Sequence, residues 1–397
     1  MAFSESIQFH RSETERLMQH LASGHSFLLF GARQTGKTTL IHQILSAMSD
    51  RPVLRYYFQL PNQREQIERD PEVLRREVEA LKSDKPPYLF IDEIQKIPGV
   101  MDVLQYLIDQ KKIILTATGS SARKMRRLGV NWLPGRVRLE HLYPLTWQET
   151  AGRLSLSDLL RFGGLPGVLS ENSVEQREQT LSAYTHLYLE EEIRLEATVR
   201  NIPRFTQFLR LAALESGGSP NLSKLGNQVG ISHTSIREYF QILEDTLIVH
   251  RLNAFGGKRD AVLRSPKYYF FDIGVRNATA QIGHSPGILT LQAGLLFEHF
   301  IILQAVALWK SRAQLYYWRT KKGEEVDLVV EGKSDLIPIE AKHTDRPSAQ
   351  DFAGLIAFQK KYKTTKGYLI CQIEKPQSFG AFTALSYQDM AFLKADL

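Results

Sequence analysis

The stretch Ser26-Phe-Leu-Leu-Phe30, followed at once by Gly31-Ala-Arg-Gln-Thr-Gly36-Lys37-Thr38, decides the fold of the N-terminal part of this chain. The first five residues form an apolar run, which predicts a buried strand. The next eight match the pattern of a phosphate-binding P-loop in full, and a helix is predicted from Lys37 to Met48. The glycines let the backbone wrap around phosphates, and the loop amides present positive dipole ends to an anion. The stretch therefore predicts a site for a nucleoside triphosphate, namely ATP with Mg²⁺.

Two P-loop side chains have distinct predicted roles. Lys37 supplies positive charge for the β- and γ-phosphates, and the hydroxyl of Thr38 ligates Mg²⁺. A chance glycine-rich turn is the alternative, which the full pattern between a strand and a helix disfavours. The predicted nucleotide-contacting residues are Gly31, Ala32, Arg33, Gln34, Thr35, Gly36, Lys37, Thr38 and Thr39.

A second apolar run, Tyr88-Leu-Phe-Ile91, ends in two carboxylates. Asp92 is predicted to hold Mg²⁺ through the water shell of the ion, and Glu93 to polarise the attacking water as a general base. An acidic loop at the start of a helix is the alternative, because acidic residues are common there. The P-loop upstream favours the catalytic interpretation.

Polar residues also follow a predicted fourth strand, Ile113–Thr118. Ser120 is predicted to sense the γ-phosphate, with Thr118 as second choice, and a helix N-cap is the alternative role. Arg136 is predicted to reach the nucleotide of a neighbouring subunit and to stabilise the charge of the transition state. The alternative is that Arg136 is simply a solvated surface arginine. The predicted helix before it is basic and contains Arg123, Lys124, Arg126 and Arg127.

Strands and helices alternate to about residue 145, which predicts a parallel sheet covered on both faces. Helical patterns dominate from about 155 to 215, and residues 222–253 have the pattern helix, turn, helix and strand. A third region begins near 295 with a helix, after which strands return. We therefore predict an α/β multidomain protein with a P-loop parallel sheet (1–150), a helical and winged-helix middle (151–290) and an α/β C-terminal domain (291–397).

The middle region has the pattern of a helix-turn-helix. Two helices, Leu222–Val229 and His233–Asp245, flank a tight turn, and a strand or wing is predicted at Leu247–Val249. The predicted DNA contacts are His233, Thr234 and Arg237.

The charges near this helix-turn-helix favour two different partners. Basic residues downstream favour DNA; they are Lys258, Arg259 and Arg264. Acidic residues on the second helix would repel DNA; they are Glu238, Glu244 and Asp245. Since winged helices also serve as protein-contact modules, a protein partner stays the alternative.

Acidic residues and a lysine are spaced along two predicted strands of the C-terminal region. Glu340 and Lys342 share one strand face, Asp327 can join them from the adjacent strand, and Glu298 on the preceding helix is a fourth member. Such a set can hold Mg²⁺ and activate water for phosphodiester cleavage. Solvated residues on a strand edge are the alternative interpretation.

The composition of the 397-residue chain is globular, with 43% hydrophobic and 23% charged residues. A net charge of +7 weakly favours acidic partners such as nucleic acid. The single Cys371 excludes an internal disulfide and fits a reduced compartment. Without a secretory signal or an uninterrupted run of about 18 apolar residues, a cytoplasmic chain with no membrane span is expected.

The segments GARQTGKTT, YLFIDEIQKIPG, LTATGSS and LPGRVRLEHLYPLTWQE together resemble a prokaryotic AAA-type ATPase family whose C-terminal region is called DUF4143. The segments YLEEEI, LGISHTSIREYFQILEDTLIVHRL and SPKYYFFDIGVRNA extend this resemblance over nearly the whole chain. The resemblance implies an AAA-like core that lacks a well-defined sensor-2 arginine. A homo-oligomer is one assembly that such a chain can form.

The C-terminal acidic set is also similar to the PD-(D/E)XK nuclease fold. Asp327, Glu340 and Lys342 fall on its motif positions, with Val326 where a proline is usual. These resemblances imply an ATP-driven enzyme acting on DNA, branched DNA included, with a nuclease-like tail. The alternatives are an ATP-controlled switch that binds a protein partner through an inert scaffold, and an ATPase holding a toxin or regulator in a defence system.

Overall fold

The computed structural model describes residues 9–121, 133–150, 152–189, 201–256, 265–333 and 335–396. It divides into two compact units, an N-terminal unit of 1–143 with 245–248 and a C-terminal unit of 144–244 with 249–397. Two predictions lie outside the described residues: the basic helix with Arg123, Lys124, Arg126 and Arg127, and the downstream Lys258, Arg259 and Arg264. Residues 190–193 of the quoted segment YLEEEI also lie outside them.

The N-terminal unit alternates strands and helices. Its elements are α1 (Thr14–Ala22), β1 (Ser26–Phe30), α2 (Lys37–Ala47), β2 (Val53–Tyr57), α3 (Pro61–Arg69), α4 (Val73–Ala80), β3 (Tyr88–Asp92), α5 (Met101–Asp109), β4 (Ile114–Gly119) and β5 (Val137–His141). The strands form one sheet in the order β2-β3-β4-β1-β5, and every pairing is parallel. The predicted parallel sheet is therefore confirmed.

Alternate residues of β1 face opposite layers of the N-terminal unit. Phe27 and Leu29 pack in a core with α1 and α2, whereas Leu28 and Phe30 pack in a second core with α4 and α5. Burial on both faces explains why this strand is a continuous apolar run. The fifth strand was not predicted, because β5 lies at the sheet edge and alternates apolar with charged residues.

The C-terminal unit begins with helices and ends with a mixed sheet. Its elements are α6 (Leu156–Phe162), α7 (Pro166–Leu169), α8 (Val174–Ala183), a π-helical segment (Tyr184–Leu189), α9 (Ile202–Leu214), α10 (Leu222–Val229), α11 (His233–Asp245), β6 (Val249–Ala254), β7 (Lys267–Phe270), α12 (Ile273–Ala280), α13 (Gly287–Trp309), β8 (Gln314–Arg319), β9 (Glu325–Glu331), β10 (Leu336–Ala341), α14 (Ala353–Tyr362), β11 (Gly367–Cys371), β12 (Gln377–Phe379) and β13 (Phe382–Ser386).

Eight strands of this unit form one sheet in the order β12-β13-β11-β10-β9-β8-β6-β7. The wing expected at Leu247–Val249 is the later strand β6, which pairs antiparallel with β7 and parallel with β8. Strands from both the predicted middle and the predicted tail thus share one sheet. The structure groups these two regions in a single compact unit. The predicted domain boundary at residue 290 stays a prediction.

The helix α13 is the one helix among the described residues that is long and apolar enough to cross a membrane, and half of its apolar stretch is buried inside the unit. We predicted no span because polar residues such as Glu298 and His299 interrupt the apolar run. His299 is fully buried and bonds to the carbonyl of Phe270, at 2.7 Å from Nε2 to the oxygen. Packing against the rest of the C-terminal unit accounts for the buried half of this apolar stretch.

Asp272 joins two segments of the C-terminal unit. Its Oδ1 accepts a hydrogen bond from the amide of Val275 at 3.0 Å, which caps α12, and its Oδ2 accepts one from the amide of Gly164 at 2.7 Å. Gly163 has φ +74°, and a Cβ there would lie 2.1 Å from Oδ1 of Asp272. The Gly163-Gly164 turn is therefore required for this buried carboxylate to reach both amides.

Burial raises the pKa of Asp272 to about 6, although its backbone hydrogen bonds oppose the shift. Since the native state then binds a proton more tightly than the unfolded chain, this residue adds stability below about pH 4 that is lost as pH rises through about 6. We expect the free energy of unfolding of the wild type to fall by about 2 kcal/mol more than that of Asp272→Asn between pH 4 and 7. Urea unfolding at a series of pH values measures this, and parallel pH profiles would contradict it.

Candidate nucleotide and metal sites

The P-loop connects β1 to α2 in a conformation that needs its glycines. A Cβ on Gly31 would lie 2.2 Å from the carbonyl oxygen of Leu142, so no larger residue fits. Gly36 has φ +91° immediately before the helix, a region that glycine enters without strain. The loop amides at the N-terminus of α2 are therefore placed to receive an anion.

Lys37 is buried and its ammonium lies inside the loop. Nζ donates to the carbonyl oxygens of Gly31 and Ala32, both at 2.9 Å. The loop is further fixed by Arg11, whose guanidinium donates to the carbonyls of Thr35 at 2.7 Å and Tyr143 at 2.6 Å. The role of Arg11 was missed, because nothing in the sequence connects it to a loop more than twenty residues away.

The other predicted nucleotide contacts differ in exposure. Thr35 is fully buried, and its hydroxyl donates to the carbonyl of Ala32 at 3.0 Å. Arg33 is half-buried, whereas Gln34 and Thr39 are exposed. Their contacts with a nucleotide stay predictions.

The two predicted Mg²⁺ residues are in direct contact. The hydroxyl of Thr38 donates to Oδ1 of Asp92 at 2.8 Å, and Thr118 donates to the same oxygen at 2.5 Å. Hydroxyl and carboxylate oxygens beside a phosphate-binding loop are the donors that Mg²⁺ takes. These residues fit the ion. Thr118 lies against Asp92, and its role as second choice to Ser120 stays a prediction.

Glu93 is buried in a small polar cluster with Gln95 and Ser120. The hydroxyl of Ser120 donates to Oε2 of Glu93 at 3.0 Å, and the amide of Gln95 donates to the same carboxylate oxygen and, at 3.1 Å, to the oxygen of Ser120. No described residue donates to Oε1 of Glu93. Ser120, predicted to sense the γ-phosphate, thus also holds the predicted general base.

Gln95 was missed by the sequence reasoning. It is 5% exposed, although it lies between the apolar residues Ile94 and Ile97 in the segment after the two carboxylates. A single amide in such an apolar segment is the signal that could have revealed it, since buried amides need a polar partner.

The predicted C-terminal acidic set comes together across three elements. Asp327 on β9 and Glu340 on β10 are neighbours in an antiparallel pair, and Glu298 comes from α13. Oδ2 of Asp327 accepts from the amide of Ala341 at 2.9 Å, and Oε1 of Glu340 bonds to Lys342 at 2.8 Å. Burial, and then the charge of Glu298, raise the pKa of Asp327 well above its ordinary value.

Two residues of β7, Lys267 and Tyr269, complete this acidic cluster and were missed by the sequence reasoning. Nζ of Lys267 lies 3.0 Å from Oε1 of Glu298 and 2.6 Å from Oε1 of Glu325, and the hydroxyl of Tyr269 donates to Glu298 at 2.7 Å. Among the described residues, no three His, Cys, Asp or Glu side chains are arranged to hold a metal ion.

Three family models match successive parts of this chain. An AAA domain matches residues 23–151, and two domains of unknown function, DUF8612 and DUF4143, match 153–285 and 293–390. The first match covers the P-loop and both carboxylates of the nucleotide site. The chain is a P-loop ATPase of the AAA type with a C-terminal DUF4143 region.

Relatives of this ATPase occur in bacteria and archaea. The uncharacterized protein Rv2008c of Mycobacterium tuberculosis is 29% identical over 349 residues, which cover 85% of this chain and 75% of that protein. The uncharacterized protein MJ1637 of Methanocaldococcus jannaschii is 22% identical over 393 residues, covering 86% of this chain and 80% of its own.

Two solved structures match parts of this chain with low similarity. The Walker-type ATPase paby2304 of Pyrococcus abyssi is 14% identical with a TM-score of 0.48, covering 68% of this chain and 96% of that one. The AMPPCP-bound DnaA of Aquifex aeolicus is 14% identical with a TM-score of 0.32, covering 59% of this chain and 89% of that one.

Arg136 of the ATPase is bound to its own subunit in this structure. Its guanidinium makes a bidentate ion pair with Asp109, at 2.6 Å from Nε to Oδ1 and 3.0 Å from Nη2 to Oδ2. Reaching the nucleotide of a neighbour requires this exposed pair to break, which costs little in water. The role of Arg136 towards a neighbour stays a prediction.

The helix-turn-helix of the ATPase has the predicted bounds, Leu222–Val229 and His233–Asp245. Gly226 allows the close turn, since a Cβ there would lie 2.6 Å from the carbonyl oxygen of Ile231. Gly230 ends the first helix with φ +73°, and the hydroxyl of Ser232 caps the second by accepting from the amide of Ser235 at 3.1 Å.

The three predicted DNA contacts lie on the exposed side of α11. His233, Thr234 and Arg237 are all exposed, whereas Ile236 and Phe240 of the same helix are buried. The acidic Glu238 is exposed too. The structure therefore leaves both a basic and an acidic group free to meet a partner.

Proposed function

We propose that this AAA-type ATPase uses its ATP cycle to control binding of DNA by the helix-turn-helix of its C-terminal unit. The observation that carries the proposal is the exposed N-terminal part of α11. His233 and Thr234 begin the helix, where amides and side chains of a recognition helix meet DNA. Arg237 follows one turn later, and no described residue forms an ion pair with it.

The chemistry of the nucleotide site supports Mg²⁺-dependent hydrolysis. Thr38 and Asp92 would hold Mg²⁺, which neutralises phosphate charge when bound. Lys37 is placed to exchange its two carbonyl acceptors for phosphate oxygens. Glu93 has Oε2 fixed by two donors, which leaves Oε1 to orient a water and accept its proton.

The Arg237→Ala variant tests the DNA contact. We expect it to bind duplex DNA about 10-fold more weakly and to lower the slope of log affinity against log salt by about 1, because one cation–phosphate contact is lost. Fluorescence anisotropy with labelled duplex and branched DNA measures both values, with ADP or a non-hydrolysable ATP analogue present.

A matched control is Arg312→Ala, which removes an exposed arginine from the turn before β8 and should leave DNA affinity unchanged. An equal loss of DNA affinity in Arg237→Ala and Arg312→Ala would show that net charge, and not a specific contact, determines binding. DNA affinity that is the same in all nucleotide states would contradict control by ATP.

The exposed Glu238 favours a second candidate, an ATP-controlled switch whose helix-turn-helix binds a basic protein partner. Glu238→Ala distinguishes the two functions. Removing this repulsive carboxylate should strengthen DNA binding in the first function, whereas in the second it should weaken a protein complex and leave DNA binding absent.

A further inference from the structure

The C-terminal acidic cluster already contains a positive charge supplied by the chain itself. Lys267 is 6% exposed, and its ammonium contacts the carboxylates of Glu298 and Glu325 at 3.0 and 2.6 Å. Its strand neighbour on the same face, Tyr269, donates to the same oxygen of Glu298. Both residues belong to the segment before α13 and outside the DUF4143 match.

The resemblance to PD-(D/E)XK nucleases implies a divalent ion among Glu298, Asp327 and Glu340. The geometry does not fit this ion. Oε1 of Glu298 is engaged by Lys267 and Tyr269, and Oε1 of Glu340 is engaged by Lys342. Oδ2 of Asp327 accepts from the amide of Ala341, and among the described residues no three acidic, histidine or cysteine side chains converge as the ligands of a metal ion.

We propose that Lys267 is a permanent internal cation that takes the place of the divalent ion, so that the C-terminal unit of this chain does not cleave DNA by a metal-dependent mechanism. An ammonium that contacts Glu298 and Glu325 and attracts the nearby Asp327 offsets part of the repulsion between these carboxylates without needing coordination geometry. It also raises the local positive potential, which opposes entry of Mg²⁺ or Mn²⁺.

The test measures Mn²⁺ binding to the full-length, nucleotide-free protein by calorimetric titration. The wild type should bind no Mn²⁺ in the C-terminal unit. In Lys267→Met, which keeps the length of the side chain, Glu298 and Glu325 lose their cation. We expect this variant to gain one Mn²⁺ site whose affinity is at least ~10-fold above the detection limit at which the wild type shows none.

Two further variants make the result specific. Lys322→Met removes an exposed lysine from the turn before β9 and should gain no site. Lys267→Met combined with Glu298→Gln removes one cation and one anion together, so it should fold as well as the wild type and lose the Mn²⁺ site. Thermal unfolding of each variant identifies any that does not fold.

The wild type alone can overturn the proposal. If it binds one Mn²⁺, and Asp327→Asn but not Asp92→Asn abolishes the binding, then the ion and Lys267 coexist and the proposal is wrong. Cleavage of duplex or branched DNA that needs Mg²⁺ or Mn²⁺ and is lost in Asp327→Asn would be equally decisive, even if Lys267→Met fails to fold.

Discussion

Replacement of Lys37 by alanine is expected to weaken ATP binding by at least ~100-fold. The ammonium is held against two carbonyl oxygens of the P-loop, and hydrogen bonds from a charged donor to two phosphates are worth about 3 kcal/mol or more. Equilibrium binding of a fluorescent ATP analogue with Mg²⁺ measures the loss.

The control for this experiment is Lys85→Ala, which removes an exposed lysine from the same unit. Because Lys37 also donates to Gly31 and Ala32, its removal could loosen the loop itself. Thermal unfolding without nucleotide separates the two effects, since loss of phosphate contacts leaves the midpoint nearly unchanged. Nucleotide affinity that is unaltered in a folded Lys37→Ala protein would refute the site.

Replacement of Glu93 by glutamine should leave ATP binding intact and slow hydrolysis by about 10² to 10⁴-fold. Glutamine preserves the shape and the contacts of the side chain but cannot accept a proton from the attacking water. Steady-state kinetics should therefore show a lower kcat with little change in KM. Glu72→Gln changes an exposed carboxylate of the same unit and is the matched control.

The contact of Glu93 with Gln95 sharpens this prediction. If Gln95 acts by orienting the carboxylate, Gln95→Ala should also lower kcat, and it should have no further effect in the Glu93→Gln background. If the decreases in kcat of the two single variants multiply in the double variant, Gln95 does not act through Glu93. Wild-type turnover in Glu93→Gln would remove Glu93 from the mechanism.

Local sequence patterns predicted the elements that local interactions specify. The bounds of β1 and of both helices in the helix-turn-helix coincide with those predicted. Each has a buried apolar face with a strong periodicity, or a glycine that ends a helix. By contrast, β5 and β7 were missed, because each is a short strand and the apolar pattern of β5 is interrupted by charges.

The sequence by itself determined the P-loop and the two carboxylates at the end of β3, because each is a contiguous pattern with a chemical requirement. It also pointed to the candidate acidic residues of the C-terminal region, because their spacing matches a known motif. Only the tertiary structure decided that Ser120 and Gln95 hold Glu93, and that Lys267 of strand β7 pairs with Glu298 of helix α13. The physical reason is that the net charge and hydrogen bonding of a buried carboxylate depend on which distant segments pack against it. Spacing along the chain identifies the acids, whereas the fold determines the cation beside them.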